Sequence, residues 1–141
     1  MSDWLHEAQI AEHEAAHEIA AREMGLPVAW VTVHPGCDEG ISFTAAVKIP
    51  DELIDRERDL FAICVATAAP YHLLTHRTSD IGKAARLEYM LATEMAGRAG
   101  ITAEEVYDRS AEIVDECWPE IVALALRLQD EGTVTFDTVP A

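Results

Sequence analysis

Two histidines and a glutamate near the start of the chain have the types and spacing of a zinc-binding motif. His13 and His17 lie four residues apart, and Glu14 directly follows the first of them. Because an α-helix has about 3.6 residues per turn, both imidazoles can lie on one helix face and bind a single Zn²⁺. Glu14 is rotated by about 100° from His13, so its carboxylate lies beside the metal and can accept a proton. We therefore predict that His13 and His17 are metal ligands and that Glu14 is a general base.

The same helix also admits an interpretation without a metal. In that interpretation His13 and His17 are ordinary residues on a charged helix face, and Glu14 and Glu18 are solvated acids. A third ligand would distinguish the two interpretations, because a catalytic zinc ion usually has three protein ligands and one open position.

Asp80 is the best candidate for the third ligand. It lies in a polar turn that opens a helix, directly after a helix of small residues. Its alternative role is to cap the helix that follows, although Ser79 could do this and leave Asp80 free. Glu88, two turns later, is the fallback ligand. The metzincin pattern is excluded, because the chain lacks the Gly and the His that this pattern requires at positions 20 and 23.

The elements that must position these residues begin with a helix and a β-ribbon. Strong helix formers, uninterrupted by Pro or Gly, predict a helix over about 3–24 that carries the motif. Residues 28–33 and 41–47 are rich in β-branched and aromatic side chains, and we interpret them as an antiparallel ribbon joined by a longer loop. The edge of such a ribbon, next to a metal site, could hold an extended peptide as a further strand.

Helical periodicity returns after the ribbon. It predicts a helix between about 51 and Pro70, which kinks or ends it, and another over about 81–98. On the second of these helices, the apolar residues expected to face inward are Leu87, Met90, Leu91 and Met95. The expected fold class is therefore α+β and mostly helical.

The last third of the chain is also predicted to be helical. Thr102 begins a capping-box pattern, and Pro119 interrupts the following helical run with a kink or a boundary between two helices. Gly132 is expected to end the run. Residues 133–136 are expected to be extended, as a short packing tail.

Length, charge and cysteine content limit the classes of protein that this chain can represent. Its 141 residues favour a single domain, over 1–141, with a substantial core. A net charge of −16 with ten basic residues argues against nucleic-acid binding. Three widely spaced cysteines predict reduced thiols in a cytoplasmic protein. No apolar run is long enough to span a membrane, and no secretory signal is evident.

The order of these features resembles the peptidase domain of FtsH-type zinc proteases. The similarity covers the His13-Glu14-x-x-His17 helix, the ribbon, the small-residue helix, and the Ser79-Asp80 segment that runs into a helix with Ala84 and Ala85. It extends over nearly the whole chain. The resemblance implies a zincin-like fold in which His13, His17 and Asp80 bind zinc and Glu14 is the base.

The chain also departs from the family pattern. The family usually has Gly where Ala16 stands, and it has an Ala-Glu pair near the positions of Pro70 and Tyr71. The ATPase module and the membrane anchor of the family have no counterpart in this sequence. These departures imply a peptidase that acts without ATP on unfolded proteins or peptides, or on substrate that a separate partner delivers. Self-association into a homo-oligomer is also open on the sequence.

Two other functions remain open on the sequence alone. The chain could be a catalytically degenerate peptidase-like domain that serves as a binding or recruitment module, or it could be a purely structural helical domain. The motif also does not identify a second group to stabilise an oxyanion. The candidates by position alone are His34, His72, His76 and Arg77.

Overall fold

Helices dominate the computed structural model, which describes residues 2–38, 41–43, 45–75 and 81–136. Short antiparallel strands accompany them, so the predicted mostly helical α+β class is confirmed. The elements in chain order are α1 (Ser2–Glu23), β1 (Trp30–Thr32), β2 (Gly36–Asp38), β3 (Ile41–Phe43), β4 (Ala46–Lys48), α2 (Leu60–Ala68), α3 (Ile81–Arg98), α4 (Ala103–Glu116), α5 (Trp118–Glu131) and β5 (Thr133–Thr135).

Helix α1 is the central element, and its small side chains allow other elements to pack against it on several sides. It contacts α2, α3, α4 and α5 as well as strands β1 and β4. An alanine projects little beyond the backbone, so neighbouring helices can approach α1 from several directions. The fully or almost fully buried alanines of α1 are Ala11, Ala15, Ala16, Ala20 and Ala21. The motif therefore lies on a helix that other elements cover on several sides.

Strands β1, β4 and β5 form a small sheet and β2 and β3 a separate pair, and this connectivity differs from the predicted ribbon. Strand β1 lies between β4 and β5, and both pairings are antiparallel, with Val31 opposite Val47 and Val134. The segment predicted as one second strand contains two strands, because β3 pairs instead with β2 from the predicted loop. The expected tail after Gly132 is the third strand of the sheet, since its backbone supplies hydrogen bonds to β1.

The helix predicted from about 51 begins only at Leu60, after a short 3₁₀ helix over Asp51–Leu53, so its predicted start is wrong. Other predicted boundaries follow local sequence rules. Helix α2 ends at Ala68, and a 3₁₀ helix, Ala69–Thr75, continues through Pro70. Thr102 forms a capping box with Glu105 at the start of α4. The break near Pro119 separates α4 from α5. None of the described helices is long and apolar enough to cross a bilayer.

The predicted orientation of α3 is wrong for three of its four apolar residues. Leu87, Met90 and Leu91 are 62%, 63% and 54% exposed. The buried face of α3 consists instead of Ala85, Ala92 and Ala96. Helical spacing cannot distinguish these two faces when both are apolar, and the smaller alanines let α3 pack closely on α2.

Candidate metal centre

Helices α1 and α3 bring two histidines and a glutamate together. His13 Nε2 lies 2.7 Å from Glu88 Oε1, and His17 Nε2 lies 2.9 Å from Glu88 Oε2. The two imidazole rings meet edge to face, with their centroids 4.9 Å apart. One ligand atom from each of the three residues lies within 4.8 Å of the other two. The predicted histidine pair therefore converges on one carboxylate, as a metal site requires.

The donor set of this cluster fits zinc. Two imidazole nitrogens and a carboxylate oxygen are common ligands of catalytic zinc, and its ligand atoms lie about 3.3 Å apart in tetrahedral geometry. The observed separations of 2.7 and 2.9 Å, each to a different oxygen of Glu88, are shorter by a few tenths of an ångström, and the three ligand atoms lie within 4.8 Å of one another. Small side-chain shifts would therefore admit the ion.

A backbone carbonyl fixes the orientation of the second imidazole. His17 Nδ1 donates a hydrogen bond of 2.7 Å to the carbonyl oxygen of Ala66 in α2. This bond holds the ring so that Nε2 points at Glu88 and can offer its lone pair when it is deprotonated. Metal-binding histidines usually donate their other N–H group in this way. The sequence does not reveal this partner, because a backbone acceptor leaves no trace in residue identity.

Charge stabilises the cluster when it holds a proton. Burial lowers the pKa of His17, but the hydrogen bond to Glu88 and the negative charges of Glu88 and Glu14 outweigh burial and raise the pKa to about 9. Burial likewise raises the pKa of Glu88, but the hydrogen bonds and charges of His13 and His17 outweigh it and lower the pKa to about 2. These pKa shifts favour a protonated His17 next to an ionised Glu88 in the metal-free protein.

Glu14 lies beside this cluster and is also buried, with 7% of its surface exposed. Burial is the main cause that raises its pKa above the ordinary value, and the charge of Glu88 adds to it, whereas His17 and His13 oppose the increase. A carboxylate with a raised pKa holds a proton more readily, which suits a general acid and base. The position matches the role predicted from the motif.

The metal-free interpretation is wrong in one respect, because Glu14 and Glu18 are not solvated acids. His13 is 4% exposed, and Glu18, which follows His17, is completely buried. Glu18 forms an ion pair with Arg22, one turn along α1. Its buried carboxylate therefore has a structural partner away from the histidines.

A cleft of about 320 Å³ opens beside the cluster, and Glu14, His17 and Glu88 line it. Its other walls are mainly apolar and include Val47 of the edge strand β4 and Ile63 of α2. Glu14, which the motif predicts to be a general base, and two of the possible metal ligands therefore face a space that a ligand could enter.

The other residues predicted for the site are distributed differently. Asp80, the predicted third ligand, lies outside the described residues, as do His76 and Arg77. Glu88, the fallback ligand, is the carboxylate found at the histidines. His34 lines a different cleft, beside Gly132.

His72 belongs to a separate hydrogen-bonded group. Its Nε2 lies 2.9 Å from Asp115 Oδ1, and its Nδ1 lies 3.2 Å from the hydroxyl oxygen of Tyr107. His72 is therefore engaged with two residues of α4.

No protein-family model and no curated protein matches this chain.

Proposed function

We propose that this protein is a zinc-dependent hydrolase that cleaves unfolded proteins or peptides. The observation that carries the proposal is the convergence of His13, His17 and Glu88 next to the buried Glu14. The resemblance of the His13-Glu14-x-x-His17 motif and its surroundings to FtsH-type peptidases supports the same reaction class.

In this proposal His13, His17 and Glu88 hold the zinc ion. The bound ion would act as a Lewis acid and would lower the pKa of water toward about 7. Glu14 accepts the proton of the attacking water and later returns it to the leaving amine. The hydrogen bond from His17 Nδ1 to Ala66 keeps this imidazole oriented during the reaction.

An extended peptide is the substrate that suits the cleft. Strand β4 lies at an edge of the three-stranded sheet, and its residues Ala46 and Val47 line the cleft. A peptide that added to this edge as a further strand would run past Glu14. The apolar walls would accept its uncharged side chains.

Substitution of the general base tests the chemical step. Glu14→Gln is expected to retain zinc but to lower hydrolysis of an unstructured protein such as casein by at least about 100-fold, because the proton acceptor is lost. Glu18→Gln is a matched control, since this carboxylate lies on the same helix but does not line the cleft. A chelator should abolish hydrolysis by both the wild type and the control. Hydrolysis that survives Glu14→Gln or chelation would contradict the proposal.

Metal analysis separates the two carboxylates that could complete the site. If Glu88 is a ligand, Glu88→Gln lowers zinc affinity by at least about tenfold. If Asp80 is the third ligand instead, as the resemblance implies, Asp80→Ala causes a loss of this size. Loss of zinc in both variants would assign both residues to the site. Stoichiometric zinc in the double variant His13→Ala, His17→Ala would contradict the whole assignment.

The same measurements test the other two functions. Zinc binding without hydrolysis would favour the recruitment module. A structural domain that binds no metal would keep its melting temperature in chelator. A domain that binds zinc should lose melting temperature in chelator, because a ligand bound only to the native state stabilises that state by mass action.

A further inference from the structure

The outward face of α3 has an apolar centre that the rest of the described chain leaves uncovered. Leu87, Met90 and Leu91 are spaced at i, i+3 and i+4, so they form one continuous patch on the helix surface. Each is more than half exposed. Exposed large apolar residues that cluster in this way often mark an interaction site.

Charged residues flank this patch in an ordered way. Lys83 precedes it by one turn, and Glu94 follows it by one turn; both are exposed and lie on the same side of the helix. Lys83 and Arg86 belong to the ten basic residues of a chain with a net charge of −16. The positive charges on this face therefore reduce its electrostatic repulsion from another acidic surface.

We propose that this face of α3 binds the same face of a second copy of the chain. The two α3 helices pack antiparallel about a two-fold axis through Leu87, Met90 and Leu91. In this arrangement Lys83 of each copy lies opposite Glu94 of the other, whereas a parallel pair would place like charges together. A two-fold interface needs a self-complementary surface of this kind.

The ion pair that Glu94 makes within its own helix does not oppose this arrangement. Arg98 Nη2 lies 2.7 Å from Glu94 Oε1, but the two side chains are 78% and 63% exposed. An ion pair this exposed contributes little to stability, so Glu94 can exchange or share its partner at low cost. Arg98 then remains at the rim of the interface.

The dimer is weak, because one helix face buries much less than the roughly 800 Å² per partner of a stable interface. We expect a dissociation constant on the order of 100 μM. The proposal does not depend on the metal centre, since Glu88 projects from another side of α3 toward α1.

Sedimentation equilibrium of the full chain, from about 10 to about 500 μM, tests the proposal. Leu87→Ser is expected to raise the dissociation constant at least about tenfold, because the substitution removes an apolar contact from both copies. Leu126→Ser is the matched control, since Leu126 on α5 is 61% exposed but lies outside the proposed interface. Zinc content and circular dichroism of both variants should match those of the wild type.

Charge reversal identifies the partner as a second copy. Lys83→Glu and Glu94→Lys should each weaken self-association, because like charges then meet across the two-fold axis. An equimolar mixture of these two variants should associate again, as each provides the charge that the other needs. A wild type that remains monomeric throughout the range overturns the proposal. So does a dimer that withstands Leu87→Ser, or a mixture that fails to associate.

Discussion

Two regions of this molecule pair histidine with a carboxylate, and they differ in what surrounds the pair. At the candidate metal centre, His13 and His17 share Glu88, next to the buried Glu14. In the second region, His72 lies between the carboxylate of Asp115 and the hydroxyl group of Tyr107. Asp115 has 66% of its side chain exposed, whereas Glu88 has 35%.

The second region is built on aromatic packing. Tyr71 and Tyr89 stack with their ring centroids 4.0 Å apart, and Tyr107 meets both rings edge to face. His72 contacts the same group through Tyr107. These contacts join α3, α4 and the 3₁₀ helix after α2, so we interpret the second region as a structural joint.

A histidine–carboxylate hydrogen bond does not by itself mark a candidate metal site. Both regions contain such bonds of similar length. In the part of the chain that the structure describes, three possible metal ligands converge only at His13, His17 and Glu88. The number of converging ligand atoms and their burial therefore distinguish the two regions.

The largest expected effect contrasts the two histidines. His17→Ala should lower zinc affinity by at least about 100-fold, because it removes a ligand and the orienting bond to Ala66. His72→Ala should leave zinc affinity unchanged. Titration with a fluorescent zinc chelator as competitor measures both. Equal losses of zinc affinity in the two variants would contradict the assignment of zinc to the first region alone.

An intermediate effect is expected on the stability of the metal-free protein. The pKa of Glu88 is lowered from 4.5 to about 2 in the folded protein, so its contribution is complete above pH 4.5 and is lost as the pH falls through about 2. The pKa of His17 is raised from 6.5 to about 9, so its contribution is complete below pH 6.5 and is lost as the pH rises through about 9.

Glu88→Gln should therefore destabilise the metal-free protein most between pH 4.5 and 6.5, by about 2 kcal/mol. The difference from the wild type should decrease on both sides of this window. Denaturant unfolding in chelator, repeated across the pH range, measures it. Asp115→Asn, at the exposed carboxylate of the second region, should have a smaller effect. A difference that does not vary with pH would contradict the ion pair.

The smallest expected effect belongs to the second region. Tyr107→Phe removes the hydroxyl group that contacts His72 but preserves the ring packing, so it should cost about 1 kcal/mol of stability. Zinc affinity and hydrolysis should not change. Thermal unfolding and the zinc titration together test this separation, and a loss of zinc in this variant would mean that the two regions are coupled.

The amino-acid sequence determined the features that depend on neighbours within a few residues. The spacing of His13 and His17 places them on one face of a helix. The same helical rotation places Glu14 beside this pair. The capping box at Thr102 and the end of α5 at Gly132 are equally local. Each of these features needs only backbone geometry and the residues of about one helical turn.

Only the tertiary structure decided which carboxylate meets the histidines and which face of α3 is buried. Glu88 is 75 residues from His13 along the chain, so its position depends on how α3 packs against the rest of the molecule. The same packing buries the alanines of α3 and exposes Leu87 and its neighbours. Both faces of this helix are apolar, and the choice between them depends on the shape of the surface that receives it, which periodicity does not encode.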